Sequence, residues 1–275
     1  MIVLTDFHRT LSGYADAFAL LADAYDGTAA SSSELEALID RYSALILEPR
    51  NALLWEELTL REPEETERLA ERLRERSAAC VALMEKYRAL KLLDGAENRT
   101  GYFRNIEACI EEEFGSFAVT RQSRVLMIGS GSFPMTPLLI ARRTGAQVVG
   151  IDIDPEAVEL GRKVAGRLGP ELPIRLETSR IEQLEGLKAM THIIFSSTIP
   201  VKYELLERLH PLAGEHAVVA MRYGGGLKSL FNYPDRHTED SGWRLAETVL
   251  RPGQIFDIAL YRKAAEQDRL IGGAR

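Results

Sequence analysis

From Ser123 onward the chain repeats one alternation: a short, continuous apolar run rich in β-branched residues, then an amphipathic stretch of helical period. The runs are RVLMI (124–128), QVVGI (147–151), PIRLE (173–177), HIIF (192–195) and HAVVAM (216–221), with helix candidates at 134–143, 155–168, 181–188 and 202–209 between them. Strands that are apolar on both faces, separated by helices, imply a parallel sheet covered on both sides, a doubly wound α/β fold. Two further runs, WRLAETVL (243–250) and IFDIALYR (255–262), flank Pro252-Gly253 and are expected to pair antiparallel at the sheet edge.

The first 116 residues follow a different rule. Leu11, Tyr14, Ala15, Phe18 and Leu21 fall near the i, i+3, i+4, i+7 spacing of one helix, and Ser31–Ser33 with Glu34 and Glu36 mark the start of a second that stops before Pro49. A short segment around Leu53–Leu58 follows. Pro63, with Glu64, Glu65 and Glu67 in the first turn, opens a long helix reaching about Leu92 and ending at Gly95, and another helix spans about 97–114. The expected organisation is an all-helical N-terminal bundle over 1–116 and a Rossmann-like sheet domain over 117–275. Charge divides at the same place: residues 1–116 hold 13 basic and 23 acidic side chains, the remainder 21 and 18.

Several classes are set aside. A net charge of −7 disfavours a nucleic-acid binder, which presents a basic face to phosphates. No run approaches the ~20 apolar residues of a membrane-spanning helix. The N-terminus has no basic segment followed by an apolar one, so a cytoplasmic protein is expected. Cys80 and Cys109 are too few for a disulfide framework and lack metal-ligand spacing, so both read as buried thiols and no metal is expected.

The most informative local feature is VLMIGSGSFPMTPLLIAR (125–142), a strand running into Gly129-Ser130-Gly131 and then a helix. Glycines here permit a sharp turn and a close approach to a ligand, and a helix N-terminus offers unpaired N–H groups. Asp152, 23 residues after Gly129, stands where an acidic side chain commonly holds ribose hydroxyls, while Asp154 before Pro155 suits a helix cap. A dinucleotide fingerprint requires a third glycine where Pro134 stands, so the loop resembles the S-adenosylmethionine (SAM) site of Rossmann-like methyltransferases instead. Ser196, Ser197 and Thr198, at the carboxyl end of the 192–195 strand, are either polar wall residues of that site or helix caps. Arg222, followed by Tyr223 and Gly224–Gly226, either clamps a ligand carboxylate through its fork or opens a mobile surface loop.

The segments GSGSFPMTPLLIA with IDIDPEAV, RYGGGLKSLFNYP, and more weakly TGYFRNIE (100–107), resemble the nicotianamine synthase family and its bacterial opine-metallophore branch, over about residues 80–234. The resemblance implies a helical bundle on a Rossmann-like SAM domain, and homodimerisation. It also implies transfer of the 3-amino-3-carboxypropyl (aminobutanoyl) group of SAM to an amine, with release of 5′-methylthioadenosine. On that basis Glu85, in LMEKYR, is the expected base that strips a proton from the acceptor's ammonium; read from the helix alone it is equally a solvated partner of Arg88. Tyr102 and Asn105 match the family's substrate side, whereas Ile106 replaces a second tyrosine. That departure implies a single transfer to an amino acid such as histidine, with an opine dehydrogenase completing a metal-chelating opine. The expected site is therefore Glu85 and Tyr102 for catalysis, Gly129, Ser130, Gly131, Asp152 and Ser196 for SAM, and Arg222, Tyr223, Gly224 and Asn105 for the acceptor. Two rival readings are a SAM-dependent small-molecule methyltransferase and a non-catalytic nucleotide sensor or scaffold.

Overall fold

The computed structural model describes residues 2–30, 32–95, 113–236, 238 and 241–264. Tyr102 and Asn105, Cys109 and most of the helix expected at 97–114 lie outside the described residues. Four helices come first: α1 (Ile2–Asp23), α2 (Ser32–Leu47), α3 (Pro49–Arg61) and α4 (Pro63–Leu93). The segment expected to be short is a full helix, α3. Pro49 is pre-set for its first turn, the Glu48 side chain accepts from the Arg50 N–H at 3.3 Å, and Trp55 and Leu58 bury its inner face. No described helix is long and apolar enough to cross a membrane.

The α/β part follows as β1 (Arg124–Ile128), α5 (Met135–Thr144), β2 (Gln147–Asp152), α6 (Pro155–Leu168), β3 (Ile174–Thr178), β4 (His192–Phe195), α7 (Lys202–Leu209), β5 (Val218–Tyr223), β6 (Trp243–Val249) and β7 (Asp257–Lys263). The strands form one sheet in the order β3-β2-β1-β4-β5-β7-β6. The first five are parallel; β7 runs antiparallel to both β5 and β6. The last hairpin is thus at the edge, as expected, but its second strand is the inner one. Burial explains the order: Asp257–Tyr261 of β7 are all buried, whereas β6 buries only Trp243 and exposes Arg244, Leu245 and Ala246. The helix expected at 181–188 is instead two 3-10 turns, Ile181–Gln183 and Leu187–Ala189, because Leu184 is extended and Gly186 is left-handed at φ 77°.

The helical layer packs on one face of the sheet. Phe7, Leu11 and Tyr42 share a buried apolar cluster with Val125, Ile194 and Leu260. The carboxyl half of α4 lies between α1 and the start of the sheet domain, and it is buried nearly all round at Cys80, Val81, Met84, Lys86, Tyr87, Arg88 and Ala89. Two contacts fix its position. Ala89 joins Phe133, Leu160 and Val164 in an apolar cluster, and Lys86 Nζ bridges Asp154 at 2.8 Å and Glu156 at 2.5 Å on the first turn of α6. Cys80 is buried as expected; its thiol donates to the Phe18 carbonyl, and burial pushes its pKa up to about 12.

Candidate active site

The turn after β1 has the shape its glycines require. Gly129 and Gly131 both have positive φ, 77° and 66°. A Cβ on Gly129 would press on the Ile199 and Ser196 side chains at 3.0 and 3.1 Å, and one on Gly131 would collide with the Glu85 carboxylate. The close helix–strand contact that a third glycine would serve is supplied elsewhere. A Cβ on Gly161 of α6 would stand 3.1 Å from the Gly131 carbonyl, and one on Gly150 of β2 would meet Ser130 Cβ at 2.8 Å. Neither glycine belongs to a local motif, which is why sequence reading passes over them.

The loop N–H groups, expected to be available to a ligand, are already committed. Gly129 and Ser130 donate to the Ile151 carbonyl at 2.9 and 3.1 Å, Gly131 donates to Asp152 Oδ2 at 3.0 Å, and the Ser132 N–H donates to the Glu85 carboxylate. Asp152 in turn accepts the Asp154 N–H on Oδ1 at 3.1 Å, while Asp154 caps α6 by accepting from the Glu156 N–H at 2.9 Å. The result is a turn held open and rigid from within. Ser130 Oγ is buried with no hydrogen-bond partner among the described residues.

Above this turn lies a cavity lined by Val81 and Glu85 from α4, Gly129, Ser130 and Phe133 from the turn, Thr136 from α5, Ser196–Thr198 after β4, Arg222 from β5, and Phe256. Glu85, Gly129, Ser130, Ser196 and Arg222, distant in sequence, therefore meet around one space, and Gly131 touches Glu85 from below. Ser196 Oγ lies 3.2 Å from Thr198 Oγ1, which makes this wall hydroxylic. The carboxyl of Glu85 is enclosed by protein, and its pKa is raised to about 8, chiefly by burial and then by the Asp152 charge; the Ser132 N–H and the Arg88 and Arg222 guanidinium groups oppose that rise.

Arg222 is differently employed from the expected clamp. Its fork is bidentate on a carboxylate of the chain itself: Nε and Nη2 donate to the two oxygens of Glu113, each at 2.5 Å, and Nη2 also donates to Thr136 Oγ1 at 2.9 Å. Tyr223 and Gly224, expected on the acceptor side, do not line this cavity. They face a second cleft with Trp55, Thr66 and Asp235. Nor are the glycines a mobile loop: a Cβ on Gly224 would strike the Lys228 carbonyl, so the residue allows the chain to fold back into the 3-10 turn Gly226–Leu230. The helical layer grips that turn, with Tyr42 Oη donating to the Leu230 carbonyl at 2.8 Å and Arg74 Nε to the Ser229 carbonyl at 2.9 Å. Lys202, unremarked in the sequence, is fully buried, donates to the Arg222 and Tyr233 carbonyls at 2.7 Å each, and is lowered by burial to about 7.

No protein-family model matches the chain. It is 30% identical over 227 residues to the L-histidine 2-aminobutanoyltransferase of Pseudomonas aeruginosa, covering 82% of this chain and 85% of that one. The chain belongs to the L-histidine 2-aminobutanoyltransferase family. The Yersinia pestis member is also 30% identical, over 194 residues that span 68% of this chain and 70% of that one. Among solved structures, MtNAS superposes with a TM-score of 0.78 at 17% identity, over 94% of this chain and 98% of that chain. MtNAS in complex with MTA and tNA gives 0.73 at 18%, over 94% and 98%. At those identities the likeness shows the fold: a helical layer on a Rossmann-like sheet, as the family resemblance implied.

Proposed function

We propose that this chain moves the 3-amino-3-carboxypropyl (aminobutanoyl) group of SAM onto the amine of an amino acid, histidine by preference, with release of 5′-methylthioadenosine. One observation carries the reading: a carboxylate from the helical layer, Glu85, rests directly on a glycine turn whose N–H groups are all engaged. A pyrophosphate needs free donors there and would be repelled by a carboxylate. A sulfonium needs neither, and gains from the negative charge. When bound, SAM supplies an electrophilic carbon activated by its positive sulfur.

The roles of the chain's own residues follow. Gly129 and Gly131 let the backbone come close to the donor, and Ser130 Oγ and Ser196 Oγ offer it polar contacts from two strand ends. Asp152, fixed by the Gly131 and Asp154 N–H groups, retains further acceptor capacity for ribose hydroxyls, and Ile153 beside it is exposed and offers an apolar face to the purine. Glu85 takes the proton from the acceptor's ammonium, since a protonated amine has no lone pair with which to attack. Residues 1–116 deliver Glu85 and cover the site; residues 117–275 hold the donor. Tyr102 and Asn105 complete the acceptor side on the strength of the resemblance. The product, a polyamine carboxylate, is suited to reductive condensation with an oxo-acid by an opine dehydrogenase in the cytoplasm to give a metallophore.

The test is one incubation of the protein with SAM and a panel of amino acids, read by mass spectrometry. An aminobutanoyl adduct of histidine is expected; a methylated acceptor, or no turnover with any amine, would overturn the assignment.

A further inference from the structure

Arg222 places a guanidinium in the wall of the same cavity that is to receive a cation, an arrangement that repels the ligand unless the charge is cancelled. Glu113 cancels it. The carboxylate is 1% exposed and spans the guanidinium fork in two parallel hydrogen bonds of 2.5 Å, while Thr136 Oγ1 takes another N–H at 2.9 Å and the Phe256 ring lies 4.8 Å below the guanidinium carbon. The guanidinium is thereby fixed in plane as well as neutralised. Among the described residues, the other charged groups acting on this space are Glu85, Asp152 and Arg88.

We propose that Glu113 is a positioning residue for donor binding: it holds and neutralises Arg222, so that the wall opposite Glu85 is polar without net charge and the cavity as a whole favours a sulfonium. Arg222 is then a rigid strut at the end of β5, tied by its backbone carbonyl to Lys202 Nζ, rather than the residue that meets a ligand carboxylate. This inference rests on the reading of the cavity as the SAM site, and its test separates the two.

The discriminating probes are SAM, which carries a net positive charge, and 5′-methylthioadenosine, its neutral fragment. Binding of each is measured by calorimetry. In Glu113→Gln the amide keeps the shape but leaves Arg222 unpaired, and SAM affinity is expected to fall by about tenfold or more while methylthioadenosine affinity changes by less than about threefold. In the double variant Glu113→Gln/Arg222→Gln, which removes both charges, the ratio of the two affinities is expected to return to within about threefold of the wild type. Equal losses for both ligands in Glu113→Gln would make the pair merely structural. Tighter SAM binding in that variant would make Glu113 a stand-in for the donor's carboxylate, and either result overturns the inference alone. Should the single variant fail to fold, the double variant decides, a wild-type ratio supporting the inference and a selective loss of SAM overturning it. A wild-type protein that binds neither ligand overturns the donor reading and this inference with it.

Discussion

Binding of SAM should expel a proton from Glu85. The free protein holds that carboxyl at a pKa of about 8, so at pH 7 roughly ten in eleven molecules carry it protonated. A neutral carboxyl cannot serve as base. A sulfonium about 4 Å away, at the effective dielectric near 20 that suits protein sites, favours the ionised form by about 4 kcal/mol. That is a downward shift of about three units, enough to ionise most of the population at pH 7. The donor would thus create the base that the reaction requires, and only after it has bound. The assay is titration calorimetry at pH 7 in buffers of different ionisation enthalpy, in which the slope of apparent enthalpy against buffer enthalpy counts protons. About 0.9 proton released per site is expected for the wild type, and near zero for Glu85→Gln, whose amide does not titrate. A flat wild-type slope would refute the reasoning, as would an unchanged slope in Glu85→Gln.

Other consequences follow from single contacts. Because its folded pKa is raised, the Glu85 carboxyl binds more protons in the folded than in the unfolded chain between about pH 4.5 and 8, so its share of stability declines as pH rises through that window. Glu85→Gln should remove a slope of at most about 1.4 kcal/mol per unit, visible in denaturant midpoints at pH 5.5 and 7.5. Lys202 has the opposite sign: its pKa is lowered to about 7, so above that value the unfolded chain holds more protons and stability rises with pH. Lys202→Met should flatten that rise between pH 7.5 and 9.5 in thermal melts. Gly131→Ala meets both a left-handed backbone and the Glu85 carboxylate, and should lower stability by about 1–2 kcal/mol and abolish SAM binding in calorimetry.

The parts of this account that were legible in the sequence are those written locally. The turn at Gly129–Gly131, the acidic residue that ends β2 and the Asp154 cap each depend on a few consecutive residues, and the apolar runs dictate a sheet whichever neighbours they acquire. The inner position of β7 was partly readable, since DIALY is the more apolar of the two last strands. What escaped notice depends on chain distant in sequence. Nothing near Arg222 announces that Glu113, 109 residues away, fills its fork, so an arginine at a strand end was read as waiting for a ligand. The three glycines after it were read in the same spirit, yet Gly224 is required by the Lys228 carbonyl beneath it. Lys202 looked like an ordinary first-turn lysine of α7, and only the fold reveals that its ammonium is sealed beneath β5. Glu85 was reached through resemblance; helix periodicity left it undecided between solvent and site, because α4 is covered on nearly every side at that point.

The central claim is that the carbon transferred is not the methyl. SAM labelled with carbon-13 in its methyl group, incubated with the protein and histidine, puts that claim to the most direct test. Label retained in 5′-methylthioadenosine, with an unlabelled aminobutanoyl group joined to histidine, is the predicted result. Label transferred to the acceptor, with S-adenosylhomocysteine as the nucleoside product, would contradict it.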